Sequence, residues 1–143
     1  MSAVIFCLVI AIADGDTLTA RCGDRGTHEQ VKVRLAEIDA PEKAQPFANR
    51  SRQSLASLCF QEIATIRPVS KDKYGRTVAR VECQGTDTNL HQAATGMAWA
   101  YTKYLSDPAI KQAEDAARKE RAGLWKDAEP MAPWEWRKMQ RSN

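Results

Sequence analysis

The sequence predicts an α+β fold, a five-stranded OB-fold β-barrel with three helices packed on it. Five short segments have the apolar or alternating pattern of β-strands, and a segment of helical periodicity separates the third from the fourth. Two more helical segments follow the fifth strand. With 143 residues, 43% of them hydrophobic and 27% charged, the chain suits one core, and we expect a single domain over residues 1–143.

The first two strands are predicted to form a hairpin. Residues 4–12 are almost wholly apolar, as in a strand buried on both faces, and Asp14-Gly15 is a common two-residue turn. A second strand then runs from Thr17 to Cys22. The apolar start also has features of an export signal. However, it lacks a preceding basic segment, so we expect a core strand instead. No run of 18 apolar residues is present, and no membrane span is expected.

The other elements follow from periodicity, turn signals and helix caps. Gln30 to Ile38 alternates as a half-buried strand does, which places Arg34 on the face away from the core. The tail at 126–143 is expected to pack against the fold rather than extend it. The remaining predicted elements are a loop at 23–26, a helix at about 47–62, strands at 63–69 and 77–83, a short helix ending near Gly96, and a helix from Asp107 to Gly123.

The four cysteines show no metal-binding spacing, but their placement suits two disulfides. If Asp14-Gly15 is the turn, Cys7 and Cys22 lie opposite each other on the hairpin. The pair Cys59 and Cys83 would join the end of a helix to the end of a strand. We therefore hypothesise both bridges, and with them an oxidising compartment. Two other pairings and four buried free thiols remain open alternatives.

Three clusters of polar residues stand out, and each has an ordinary explanation when taken alone. Asp14–Thr17 reads as a hairpin turn, Arg34–Glu42 as a solvated strand end, and Asp72–Arg76 as a charged turn. However, carboxylates that converge at a strand end are costly unless a cation neutralises them, and hard oxygen ligands favour calcium or magnesium over zinc. Residues 1–42 hold four basic and seven acidic side chains, whereas residues 43–82 hold eight and three. Ordinary surface patchiness would also explain this imbalance.

The ordered set of motifs is more specific than any one of them. The chain resembles the staphylococcal nuclease (thermonuclease) family in three motifs that occur in the same order: Asp-Gly-Asp-Thr, then Arg-Leu-x-x-Ile-Asp-Ala-Pro-Glu, then Asp-Lys-Tyr-Gly-Arg. Gly-Leu-Trp at 123–125 resembles the end of that family's domain. The resemblance covers about residues 4–125. The best-known member has threonine at the position of Ala40, where alanine keeps the carbonyl. Its loop corresponding to 43–46 is longer, so substrate preference and turnover need not match.

The resemblance implies a calcium-dependent nuclease that hydrolyses DNA and RNA and leaves 3′-phosphate products. We expect a monomer that is secreted or periplasmic. The alternative is a catalytically silent OB-fold module that only binds nucleic acid, but such a module would typically lack Glu42 or one of the two arginines. The implied residues are Asp16, Asp39 and the Ala40 carbonyl as calcium ligands, Glu42 to orient or deprotonate the attacking water, Arg34 and Arg76 on the scissile phosphate, Lys73, Tyr74 and Tyr101 on a neighbouring phosphate or base, and Asp14 as support for the metal site.

Overall fold

The computed structural model describes residues 3–23 and 26–142, so Asp24 and Arg25 of the predicted 23–26 loop lie outside the described residues. The strands in the described part are β1 (Ile5–Asp14), β2 (Thr17–Cys22), β3 (Glu29–Leu35), β4 (Ile38–Asp39), β5 (Ile63–Lys71), β6 (Thr77–Cys83), β7 (Thr86–Asp87) and β8 (Trp99–Ala100). The α-helices there are α1 (Ala48–Cys59), α2 (Thr88–Ala94), α3 (Pro108–Lys119) and α4 (Pro133–Ser142), with 3₁₀ turns at Thr102–Tyr104 and Gly123–Lys126.

The main sheet closes into a barrel, which confirms the predicted fold class. Its strand order is β3-β2-β1-β5-β6-β7, and β3 also pairs with β6. That closing pair is parallel, with Val33 beside Thr77 and Leu35 beside Ala79. The short strands β4 and β8 form a separate antiparallel pair that places Asp39 beside Trp99. Closure therefore brings the segment just before β6 next to the strand that carries Arg34.

Strand β1 corrects one prediction. Its inward residues Cys7 and Val9 are buried in the core, but Phe6 on the other face is 68% exposed. The strand thus packs on the barrel interior with one face only, and burial on both faces was wrong. An apolar run does not show by itself that both faces of a strand are covered.

Both hypothesised disulfides, Cys7–Cys22 and Cys59–Cys83, are present, and no cysteine is free. The turn between β1 and β2, however, lies one residue later than predicted, because Asp14 pairs with Thr17. Two irregularities between Val9 and Asp14 shift the register back, so that Leu8 pairs with Arg21. Cys7 and Cys22 come together for this reason.

The helices differ from the prediction in number. Four are found where three were predicted, because the tail contains α4. Pro133 is the first residue of this helix, a position where the missing N–H of proline costs little. Among the described residues, no helix has the length and apolar character needed to cross a membrane.

Candidate active site

Asp16 reaches the site from the β1–β2 turn, which is held tightly against the helices. A side chain at Gly15 would collide with Ser51 of α1, since an added Cβ would lie 1.7 Å from its Oγ. The buried Gln92 of α2 donates from Nε2 to the Gly15 carbonyl at 2.8 Å and to the Ser51 carbonyl at 3.0 Å. Glycine therefore allows the turn to pack closely against α1. The hydrogen bonds from Gln92 fix the position of the backbone that leads into Asp16.

Each oxygen of the Asp16 carboxylate accepts a hydrogen bond. Its Oδ1 accepts from the Thr17 hydroxyl at 2.8 Å, and its Oδ2 accepts from the Ala40 backbone N–H at 2.7 Å. This second bond joins the β1–β2 turn to the end of β4. The predicted ligands Asp16, Asp39 and Ala40 are thus adjacent in space.

The turn between β3 and β4 gives Arg34 and Asp39 their relative positions. The predicted strand 30–38 breaks here because Glu37 has a left-handed backbone with φ of 68°. Buried Asn89 braces the turn by donating from Nδ2 to the carbonyls of Ala36 at 2.9 Å and Ala79 at 3.1 Å. The strand break lets Asp39 fold back toward Arg34.

Arg34 is anchored by backbone on one side and by carboxylates on the other. Its Nη1 donates to the carbonyls of Leu35 at 2.8 Å and Ile38 at 2.9 Å. The same nitrogen lies 3.4 Å from Asp16 Oδ2, and Nη2 donates to Asp39 Oδ1 at 3.2 Å. Only 12% of the Arg34 side chain is exposed. One guanidinium therefore links the two predicted metal-binding carboxylates.

A second guanidinium enters this cluster from α4. Arg137 Nη2 donates to Asp39 Oδ2 at 2.7 Å, and Nη1 donates to Asp39 Oδ1 at 3.1 Å and to Glu42 Oε1 at 2.8 Å. The Asp39 side chain is 1% exposed, whereas Glu42 is 34% exposed. Glu42 thus lies at the solvent edge of the cluster.

The ionisation of these groups reflects burial more than pairing. Burial raises the pKa of Asp39 to about 6, with a contribution from the neighbouring Asp16, although Arg137 and Arg34 act against it. Burial, Asp16 and Glu42 together also raise the pKa of Asp14. Burial disfavours the charged form of Arg137, but hydrogen bonds to Asp39 and Glu42 outweigh it and hold the pKa of that guanidinium above its ordinary value. By formal count, the four carboxyl groups of Asp14, Asp16, Asp39 and Glu42 outnumber the two guanidinium groups of Arg34 and Arg137.

The donor set fits a hard divalent cation. Asp16 and Asp39 offer carboxylate oxygens that approach the same guanidinium. Ala40 is held beside Asp16 by its N–H, which donates to Oδ2, and its backbone carbonyl is the third oxygen of the predicted set. Within the described residues, no three His, Cys, Asp or Glu side chains form a metal-holding group by themselves. The predicted set of two carboxylates and a carbonyl is smaller than such a group, so water would have to complete the shell of a bound cation.

The Asp72–Arg76 loop comes just before β6, whose first residue Thr77 pairs with Val33, the neighbour of Arg34. Asp72 Oδ1 accepts from the backbone N–H groups of Tyr74 and Arg76, both at 2.9 Å, while Oδ2 accepts from Arg76 Nε at 2.7 Å. These bonds outweigh slight burial and hold the pKa of Asp72 below its ordinary value. Tyr74 is 73% exposed, and the cations of Lys73 and Arg76 lie 5.3 and 5.6 Å from its ring. The loop presents two cations and an aromatic ring to solvent.

Tyr101 lies close to both arginines of the cluster. Its ring centroid is 5.9 Å from Arg34 Cζ and 6.0 Å from Arg137 Cζ. Arg137 Nη2 donates to its hydroxyl at 3.3 Å. The ring also stacks on Trp134 of α4, with centroids 5.3 Å apart and planes 2° from parallel. Tyr101 therefore borders the site, and one of its faces is covered.

The structure brings most of the predicted site residues together. Asp14, Asp16, Arg34, Asp39, Ala40, Glu42 and Tyr101 form one cluster, whereas Lys73, Tyr74 and Arg76 belong to the neighbouring loop. The sequence pattern did not identify Arg137, Trp134 or Gln92 as site residues. Pro133 followed by Trp134 and Arg137 at helical i,i+3 spacing was a signal for α4, but not for where that helix docks.

An OB-type barrel that presents clustered carboxylates beside arginines has the make-up of a nuclease. Comparison with known proteins agrees. A family model described as staphylococcal nuclease homologue matches residues 32–127. An uncharacterized endonuclease of Haemophilus influenzae is 44% identical over 137 residues, which cover 96% of this chain and 75% of the relative. A micrococcal nuclease of Shigella flexneri is 38% identical over 141 residues, with 91% of this chain and 79% of the relative covered.

More distant relatives include a probable staphylococcal-like nuclease of Oryza sativa, 32% identical over 120 residues, with 84% of this chain and 36% of the relative covered. The chain therefore belongs to the staphylococcal nuclease family, a family of phosphodiester-hydrolysing nucleases that act on nucleic acid. Helix α4 lies outside the residues that the family model matches.

Proposed function

We propose that this protein is a calcium-dependent nuclease that hydrolyses DNA and RNA and leaves 3′-phosphate ends. The observation that carries the proposal is the convergence of Asp16 and Asp39 on Arg34, with Glu42 joined to Asp39 through Arg137. Asp16 and Asp39 are buried, and their charge makes hard-cation binding favourable.

Asp16, Asp39 and the Ala40 carbonyl would hold the calcium ion. When bound, the ion would supply positive charge that offsets the negative charge gathering on the phosphate oxygens. The arginines would offset the rest of the negative charge on the phosphate oxygens. Arg34 is already fixed by two backbone carbonyls, so its position is set before substrate arrives. The bond of Arg76 to Asp72 uses Nε and leaves both terminal nitrogens for phosphate oxygens.

Glu42 suits the role of general base because it lies at the exposed edge of the cluster. It takes a proton from the water whose oxygen attacks phosphorus, and the bond from phosphorus to O5′ breaks. The proton passes to O5′ by way of solvent, which gives a 3′-phosphate and a free 5′-hydroxyl with one water consumed. Tyr74, Lys73 and Tyr101 would contact the phosphate or base next to the cut.

We further propose that the chain acts as a monomer in the periplasm or outside the cell. Two disulfides support an oxidising compartment, since such bonds are rare where thiols are kept reduced. Fractionation of the native host followed by activity assay tests this placement, and light scattering of the purified protein tests the monomer. Activity confined to the cytosol would contradict the first.

The central experiment incubates the purified protein with single-stranded DNA, duplex DNA and RNA, first with calcium and then with excess chelator. We expect cleavage that stops with chelator, and products that gain a 3′-hydroxyl after phosphatase treatment. Asp39→Asn is the matched variant, and it should lose both calcium binding and cleavage. Retarded but intact nucleic acid under both conditions would instead favour the silent binding module.

A further inference from the structure

Arg137 differs from Arg34 in what holds it. Arg34 donates to two backbone carbonyls besides its carboxylates, and its side chain is 12% exposed. The described hydrogen bonds of the Arg137 side chain go to Asp39, Glu42 and the Tyr101 hydroxyl, and the side chain is 31% exposed. The Arg137 guanidinium is thus held mainly by charges that a cation would also attract.

Helix α4 is docked by contacts that do not involve this guanidinium. Trp134 stacks on Tyr101 and meets Trp99 edge-on, with centroids 5.6 Å apart. Gln45 Nε2 donates to the Met131 carbonyl at 2.8 Å just before the helix begins. The same Gln45 accepts from the Glu42 backbone N–H at 2.9 Å, which links the segment leading into the helix to the loop that bears Glu42. The helix can therefore stay in place while the Arg137 side chain changes partners.

Arg137 and a calcium ion would share one acceptor. Asp16 is bonded by Thr17 and the Ala40 N–H, whereas Asp39 Oδ2 accepts from Arg137 at 2.7 Å. The other terminal nitrogen binds Glu42. A cation on Asp39 would meet repulsion from the guanidinium at this distance, because the site is buried and poorly screened. Release from Asp39 would leave Glu42 and Tyr101 as partners.

We propose that Arg137 is a further positioning residue of the active site, which holds the Glu42 carboxylate in place and competes with the calcium ion for Asp39. This inference rests on the proposed function. Its consequence is a pair of opposed effects. Loss of the guanidinium should strengthen calcium binding and, because Glu42 is no longer held, should slow turnover.

The test begins with calcium binding to the protein without nucleic acid, measured by titration calorimetry. Arg137→Gln should bind calcium about tenfold more tightly than the unchanged protein. Arg141→Gln is the matched control, since it removes the same charge from an exposed side chain one turn further along α4. It should bind calcium as the unchanged protein does. Arg137→Lys keeps a charge without the two-pronged geometry and should give an intermediate affinity.

The same variants are then compared in cleavage at saturating calcium. Arg137→Gln should lower kcat about tenfold, with thermal unfolding showing that the fold is kept. Calcium binding by Arg137→Gln that is equal to or weaker than that of Arg141→Gln would overturn this inference alone. An unchanged kcat would also overturn it. Absence of calcium binding in all of these proteins would overturn the inference together with the proposed calcium site.

Discussion

The two arginines assigned to the scissile phosphate are anchored in different ways. Arg34 lies in the buried cluster, where two backbone carbonyls and two carboxylates surround it. Arg76 lies in an exposed loop, where its described hydrogen bond from the side chain goes to Asp72. One guanidinium is therefore fixed by the fold itself, and the other by a local turn.

This difference in anchoring suits the two arginines to different roles. A group that must meet developing charge works best when its position needs no adjustment during the reaction, which suits Arg34. A group that must first capture a flexible polyanion benefits from exposure, which suits Arg76 beside Tyr74 and Lys73. We expect changes in the buried cluster to affect kcat and stability, and changes in the loop to affect KM.

The largest effect should come from Glu42→Gln. Glutamine keeps the shape and can still accept from Arg137, but it cannot take a proton at neutral pH. We expect kcat to fall by about 10²–10⁴-fold, measured by single-turnover cleavage of a labelled oligonucleotide at saturating calcium. Calcium affinity and thermal unfolding serve as controls and should change little. Turnover within twofold of the unchanged protein would remove Glu42 from the mechanism.

Arg34→Lys should come next. An ammonium cannot reproduce the fork that joins the carbonyls of Leu35 and Ile38 to the carboxylates. We expect kcat/KM to fall by about 10²–10³-fold, and the free energy of unfolding to fall by about 1–3 kcal/mol because buried acceptors lose their donor. Steady-state cleavage and urea unfolding measure the two effects.

Arg80→Lys is the matched control, because Arg80 is also held by several carboxylates but lies outside the cluster. It should cost stability with activity largely retained. A mild effect of Arg34→Lys on cleavage would show that Arg34 supports the fold and does not bind phosphate.

Gln92→Leu should have a smaller effect on the buried side. Leucine keeps the volume but leaves the carbonyls of Gly15 and Ser51 without their donor. We expect a loss of about 1–3 kcal/mol in unfolding free energy and a fall in kcat of about tenfold as the Asp16 turn loosens. Gln84→Leu, at an exposed glutamine, is the control. Equal activity of both variants would show that α2 does not hold the turn in its active position.

The sequence predicted the parts of this molecule that depend on local periodicity. The alternation through β3 placed Arg34 correctly on the face away from the core, and the strand order identified the barrel. The pairing of Cys7 with Cys22 was also right, although the turn was placed one residue early. Two register shifts in β1 move the strand back, so that the predicted cysteines still face each other. The sequence pattern of β1 did not indicate these shifts.

The missed features depend on contacts between distant parts of the chain. Glu37 adopts a left-handed conformation that is uncommon for a residue other than glycine. Its cost is offset by tertiary bonds, since the Glu37 carboxylate accepts from the Asp107 backbone N–H at 2.6 Å. Arg137 was missed for the same reason. Helical spacing predicts an amphipathic segment, but the surface on which it docks is set by the folded barrel.

The smallest effect should come from Asp72→Asn in the exposed loop. Asparagine keeps the Oδ1 acceptor for the N–H groups of Tyr74 and Arg76, but its second position is an amide that cannot accept from Arg76 Nε. The turn is thus preserved, while the Arg76 guanidinium loses the acceptor that orients it. Because exposed pairs contribute little, we expect KM to rise about two- to fivefold with kcat and unfolding free energy nearly unchanged.

Asp72→Ala is the comparison variant, since it removes the turn bonds as well and should raise KM further. Initial rates over a range of oligonucleotide concentrations, at low and high salt, measure both. A fall in KM for Asp72→Asn would reverse the assignment, because it would mean that Asp72 restrains Arg76 rather than orients it. Arg76 would then resemble Arg137, which must release Asp39 when calcium binds, and only Arg34 would be fixed in advance.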